Sequence, residues 1–238
     1  MATEQRFFIE RVVTGVNGLD DLLYGGIPAR SQVLISGNSG TGKTLLSFEI
    51  LYRNAEVDIP STFITFEETV ESVISNAKNA FTYFEDIDEL VTSRKLNIMA
   101  VPIVTSLKSR EAFETVLADL NKEIESNSSK IIVIDSLSTL RTLYDEDRAF
   151  TRSVNLMIAN FRQLGVTTIV TMETPTIEVA QSSGLYGTFM FDGIIGLATT
   201  SAEGSFQYMI RIVKMRSTNH RNNPVPYEIT QNGINIFK

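Results

Sequence analysis

Gln32-Val-Leu-Ile-Ser-Gly37-Asn-Ser-Gly-Thr-Gly-Lys43-Thr44 joins a short apolar run to a glycine-rich turn and then to an amphipathic segment. Residues Gly37 to Thr44 satisfy G-x-x-x-x-G-K-[ST] in full, after a buried strand and at the start of a helix, where that pattern's chemistry requires it. Gly37, Gly40 and Gly42 let the backbone curl so that successive N–H groups, through Asn38, Ser39 and Thr41, face phosphate oxygens, and the helix N-terminus adds partial positive charge. Lys43 is placed to reach the β- and γ-phosphates of ATP, and the Thr44 hydroxyl to ligate Mg²⁺. The competing reading is an ordinary glycine-rich turn beside an exposed lysine.

Outward from this stretch, apolar runs alternate with helical patterns, which predicts βαβ units around a mainly parallel sheet. A helix is expected from about Lys43 to Asn54, a strand over Ser61–Phe66, and a helix over Val70–Ala80. Further strands are expected at Leu96–Ala100, Lys130–Asp135, Thr167–Met172 and Gly193–Leu197, with helices over Glu111–Glu125 and Phe150–Leu164. Phe206–Val213 and Pro226–Phe237 read as an antiparallel finish, turning at Gln231-Asn-Gly233. With no linker, repeat or low-complexity tract, residues 1–238 are read as a single domain.

Composition narrows the chemistry. The 238 residues include no cysteine and one histidine, His220. A disulfide framework, a thiolate nucleophile, a Cys-based metal site and a multi-His centre are therefore excluded. No apolar run approaches the ~20 residues of a membrane helix, and Met1–Val12 lacks the pattern of a secretory signal. A soluble, cytoplasmic protein without membrane contact is expected. Net charge is −7, so nucleic-acid binding would need a local basic patch.

Asp135 ends the run Ile131-Ile-Val-Ile134. A carboxylate at the carboxyl end of a buried parallel strand faces the ligand crevice, where beside a phosphate loop it holds Mg²⁺; alternatively it caps the next helix. Glu67 and Glu68 close the strand before Val70. If that strand lies beside the loop strand, one of them sits near the γ-phosphate and can orient and deprotonate water; the alternative is a pair of acids favoured by a helix dipole. Lys214 and Arg216, with His220 and Arg221, form the densest basic cluster. At a subunit boundary the pair could act on a neighbour's ATP; on an exposed edge strand it would merely discourage edge pairing. His220 reads as an ordinary polar contact.

Together these elements resemble the KaiC-like branch of the RecA superfamily of P-loop ATPases. The resemblance rests on Thr14-Gly-Val-Asn-Gly-Leu-Asp20, on Leu22-Leu-Tyr-Gly-Gly-Ile-Pro28, and on Phe63-Ile-Thr-Phe-Glu-Glu68. It extends to Ile131-Ile-Val-Ile-Asp-Ser136, Thr171-Met-Glu173, Phe191-Asp-Gly193, Lys214-Met-Arg216-Ser-Thr-Asn-His220 and Tyr227-Glu-Ile-Thr230. It implies an α/β fold, the RecA-type P-loop three-layer α/β/α arrangement with a mainly parallel sheet and a C-terminal antiparallel hairpin. It implies Glu68, assisted by Glu67, as the catalytic base, and Lys214 and Arg216 as residues acting on the adjacent subunit's nucleotide. A site completed in trans implies a homo-oligomer, a ring (in this family often a hexamer) or a filament. One departure is visible: where the family usually has a glycine within two residues of Pro28, this chain has Ala29-Arg30-Ser31.

The family's two-unit clock proteins carry a timing and phosphorylation cycle that a one-unit chain does not imply. Single units of this size resemble archaeal paralogues of the recombinase RadA, which raises single-stranded DNA as a partner in recombination or repair. The segments in register with DNA-facing loops would be Ser136–Phe150 and Thr174–Phe191. The first holds Arg141 and Arg148 among three acids; the second holds no Lys or Arg, with Tyr186 and Phe189 available for stacking. That is a poor electrostatic groove, so binding to single strands is expected to be weak. Three functions stand at this point: a slow oligomeric ATPase switch, a DNA-binding accessory whose assembly ATP controls, and an ATP-switched module docking a protein partner.

Overall fold

Along the central strands successive side chains go to opposite faces, and both faces are covered. Val33, Ile35, Phe63, Val133 and Ile169 enter one apolar cluster, while Leu34, Ile64, Ile134 and Val170 enter another. Continuous apolar runs of this kind belong to parallel strands buried on two sides. The computed structural model describes residues 9–101, 110–174, 188–202 and 205–237.

In chain order the elements are β1 (Arg11–Val12), α1 (Leu19–Leu22), β2 (Ile27–Pro28), β3 (Gln32–Gly37), α2 (Lys43–Glu56), β4 (Ser61–Thr65) and α3 (Val70–Ala80). There follow α4 (Ile87–Thr92), β5 (Leu96–Ala100), α5 (Arg110–Ser126), β6 (Ile131–Asp135), α6 (Leu137–Arg141), α7 (Asp147–Leu164) and β7 (Thr167–Glu173). The chain closes with β8 (Gly193–Ala202), β9 (Ser205–Met215), β10 (Val225–Thr230) and β11 (Gly233–Ile236). β1 and β2 pair with each other; the other nine form one sheet in the order β11-β10-β9-β8-β3-β7-β6-β4-β5. β8, β3, β7, β6, β4 and β5 run parallel, and β9, β10 and β11 finish antiparallel. Apolar side chains of α2, α3 and α4 cover one face of the sheet and those of α5, α6 and α7 the other.

Local chemistry sets several boundaries. Thr69 caps α3 by accepting from the Ser72 N–H at 3.2 Å, and Ser136 caps α6 by accepting from the Thr139 N–H at 3.4 Å. α7 stops at Gly165, which takes a left-handed φ of 70°. Arg30 adopts φ 63° in the turn where the family's glycine was missing, so the bend is kept by a residue that pays for it in strain.

The structure differs from the sequence reading in several places. α7 begins at Asp147 rather than Phe150, β8 and β9 are longer than expected, and β9 pairs antiparallel with β8 as well as with β10. The short α4 and α6 and the β1–β2 pair carry too little periodicity to register in a sequence. The supposition that β4 lies beside β3 fails, because β7 and β6 stand between them. The crossover through α2 skips two places that later strands fill.

Candidate active site

The strap Gly37–Thr44 leaves the carboxyl end of β3 and enters α2, as its glycine pattern predicts. Gly40 and Gly42 sit at φ 76° and 79°, values that side chains rarely tolerate. A β-carbon at Gly37 would lie 2.3 Å from the Leu197 carbonyl, whereas one at Gly40 would meet nothing within 4 Å. The loop is thus packed on its sheet side and open on the other. That open side faces a cavity of about 500 Å³.

Lys43, Thr44 and Asp135 converge on this cavity. The Lys43 Nζ donates to the Asn38 carbonyl at 2.8 Å. The Thr44 hydroxyl lies 3.1 Å from both Asp135 carboxylate oxygens, and the Thr171 hydroxyl also donates to Asp135. Burial pushes the Asp135 carboxyl up from its ordinary value, with the hydroxyls of Thr171 and Thr44 opposing it. Burial also lowers Lys43, opposed by the charges of Glu173, Asp135 and Glu67. Tyr227 of β10 braces the loop from below, its hydroxyl donating to the Thr41 carbonyl at 2.5 Å.

Glu67 and Glu68 reach the same cavity although β4 is not β3's neighbour. β4 runs beside β6, with Thr65 opposite Asp135, so the residues that follow both strands emerge at one level. The two carboxylates then part. Glu67 accepts from the Ser136 hydroxyl at 2.5 Å and from the Thr139 hydroxyl, both of the α6 N-terminus. Glu68 accepts from Ser72 and Asn76 of α3 at 2.5 and 2.7 Å.

Lys214 and Arg216 are not brought to this cavity. Met215 is level with Gly193, and Gly193 with Val33, so the pair lies at the amino end of β3. Four residues of strand, about 13 Å, separate that level from Gly37. There the Lys214 ammonium donates to the Phe191 carbonyl, and Arg216 pairs with Asp192 at 3.1 Å. Asp192 also receives the Gln32 N–H and Arg162, and these donors outweigh its burial to hold its carboxyl below the ordinary range. Burial, with Arg216 beside it, lowers Lys214. His220 is half-buried, its ring Nδ1 lying 3.4 Å from the Arg221 carbonyl.

Other groups at or next to the cavity were given no role by sequence reasoning, although Glu173 and Ser136 stand in the motifs that carry the family resemblance. Glu173 ends β7 directly opposite Gly37 and lines the cavity. Its position at a strand's carboxyl end next to the loop strand was the available signal. Ser136, Ser72 and Asn76 gave no such signal, since hydroxyl and amide residues are common at helix starts. Ser136–Phe150 is largely helical, and Arg141 within it is committed to Asp147 and to the Tyr144 carbonyl. Phe189 is 71% exposed, while Tyr186 lies outside the described residues.

A sequence model of the family described as "ATPase: KaiC" matches residues 12–238. The chain belongs to the KaiC family. It is 33% identical over 235 residues to the circadian clock oscillator protein KaiC of Synechococcus elongatus, covering 96% of this chain and 44% of that protein. The corresponding KaiC of Rippkaea orientalis is 32% identical over 239 residues, with the same coverage of both chains. This chain therefore spans less than half the length of these curated relatives. The crystal structure of a KaiC-like protein from Pyrococcus horikoshii OT3 superposes with a TM-score of 0.85 at 27% identity, covering 97% of this chain and 100% of that one. The fold is thus a P-loop fold of the RecA superfamily. Among the described residues no helix is long and apolar enough to cross a membrane.

Proposed function

We propose that this KaiC-family chain, as a single domain over residues 1–238, is a Mg²⁺-dependent ATPase that works as a cytoplasmic homo-oligomer. The observation that carries the reading is the meeting of Lys43, Thr44 and Asp135 at a glycine strap open on its cavity side. The donor set fits ATP with Mg²⁺. Among the described residues around the cavity one ammonium, Lys43, faces the carboxylates of Glu67, Glu68, Asp135 and Glu173. A bare triphosphate would be repelled there, and a divalent cation removes the conflict. Among the described residues no three His, Cys, Asp or Glu side chains cluster as a metal cage. Thr44 and Asp135 with phosphate and water oxygens would suit Mg²⁺, which keeps much of its hydration.

Bound Mg²⁺–ATP supplies the phosphoanhydride and the charge neutralisation. This chain's residues do the rest. The N–H groups from Asn38 to Thr44 and the Lys43 ammonium hold the phosphates, and the apolar end of the cavity at Ala80, Phe81 and Ile229 accommodates the base. Glu68 orients the attacking water and accepts its proton, with Glu67 assisting. Lys214 and Arg216, out of reach of their own loop, complete the site of the next subunit in a ring or filament. Hydrolysis is slow and serves as a switch. Arg141's internal pairing weakens further a groove already expected to be electrostatically poor, which favours a switch read by a protein partner over a recombination accessory.

The test is ATP turnover with and without Mg²⁺, in the wild type and in Glu68→Gln. The variant is expected to bind ATP normally and lose turnover; normal hydrolysis would overturn the assignment of the base. Single-stranded DNA at ~50 and ~200 mM salt is expected to leave turnover unchanged. Salt-sensitive stimulation would instead establish the accessory role.

A further inference from the structure

Glu68 follows β4 by three residues and has three rotatable side-chain bonds, so its strand does not fix where its carboxylate points. α3 does. Ser72 and Asn76 are four residues apart on one helix face, and both donate to the same oxygen, Oε2 of Glu68, at 2.5 and 2.7 Å. Asn76 Nδ2 also lies 3.3 Å from the Ser72 hydroxyl, so the three groups form a closed triangle. The other oxygen, Oε1, accepts no hydrogen bond among the described residues. The mount is rigid: Val73 and Ala77, each next to a gripping residue, are buried in the core, and Thr69 caps the helix just before them. The neighbouring Glu67 is drawn the other way, to Ser136 and Thr139 of α6. Two adjacent glutamates are thus set at separate places by two different helices.

We propose that Ser72 and Asn76 are positioning residues that hold Glu68 by Oε2 and leave Oε1 aimed at the attacking water. The inference rests on the reading of Glu68 as the base. Fixing the carboxylate before substrate arrives removes the freedom that would otherwise be lost in the transition state, and a misplacement of an ångström is enough to slow a reaction substantially.

The experiment measures kcat, KM and ATP affinity for Ser72→Ala, Asn76→Ala and Ser72→Thr, alone and in the Glu68→Gln background, with melting temperature as the folding control. The alanine variants are expected to lose about tenfold or more in kcat at unchanged ATP affinity. Ser72→Thr, which keeps the hydroxyl, retains turnover. In the Glu68→Gln background the alanine substitutions are expected to cost little further, because the group they position has already been removed. Wild-type kcat in the double variant Ser72→Ala/Asn76→Ala, with Glu68→Gln inactive, would overturn the proposal while leaving the base in place. An equal loss in both backgrounds would also overturn it, pointing to a structural role for α3. Normal turnover by Glu68→Gln would remove the reading beneath it.

Discussion

Lys43 lies folded across its own loop, Nζ against the Asn38 carbonyl, with Glu173, Asp135 and Glu67 acting on its charge. Among the described residues it is the cavity's one ammonium, beside four carboxylates. Lys43→Ala is therefore expected to abolish ATP binding, read by titration with a fluorescent ATP analogue, while melting temperature changes little. Retained affinity would mean that the backbone strap alone holds the phosphates. The meeting of Lys43, Thr44 and Asp135 at one cavity was legible in the sequence because each position is tied to a spacing or a strand end. Ser136 was not, because its partner Glu67 follows a different strand and only the folded sheet sets the distance. Ser72 and Asn76 lie only four and eight residues from Glu68, but hydroxyl and amide residues are common at helix starts and carry no distinguishing signal. Lys214 and Arg216 were legible as a pair, but their remoteness from the loop follows from β9 running antiparallel to β8, which no local pattern encodes.

Among the elements, α2 and the β10–β11 hairpin meet closely beside the site. Glu49 of α2 is 2% exposed and accepts from the Ile234 N–H at 2.9 Å. A β-carbon at Gly233 would fall 2.5 Å from that carboxylate, and the Gly233 φ is 101°. Burial raises the Glu49 carboxyl from an ordinary 4.5 to about 7, against the opposing effects of the Ile234 N–H, Arg53 and Tyr83. The folded protein thus keeps a proton that the unfolded chain has released between about pH 4.5 and 7. Stability contributed by this group falls as pH rises through that window, by ~3 kcal/mol in all. Glu49→Gln keeps an acceptor for Ile234 and removes the titration. Relative to wild type, its unfolding free energy in urea is expected to be higher at pH 8 than at pH 5. A constant difference between the two proteins would contradict this. The central strands were legible because both their faces are apolar, but their lateral order was not. Order depends on which crossover skips a place, and the β3-to-β4 connection skips two.

At the scale of the whole molecule, the phosphate loop and the Lys214–Arg216 pair stand at opposite ends of the same sheet strands. On the proposed reading, the site at one end is completed by the pair at the other end of the next subunit, which suits head-to-tail repetition into a ring or filament. The most direct measurement of this account is ATP turnover in mixtures of two variants, Glu68→Gln and Arg216→Ala. Each alone is expected to be nearly inactive, the first for want of its own base and the second for want of the neighbour's arginine. In mixed assemblies an Arg216→Ala subunit beside a Glu68→Gln subunit regains a full site. A random equal mixture should recover roughly a quarter of wild-type turnover, since half the subunits keep a base and half of those gain an intact neighbour. Subunit exchange confirmed by labelling, with turnover no higher than the sum of the separate variants, would contradict completion in trans.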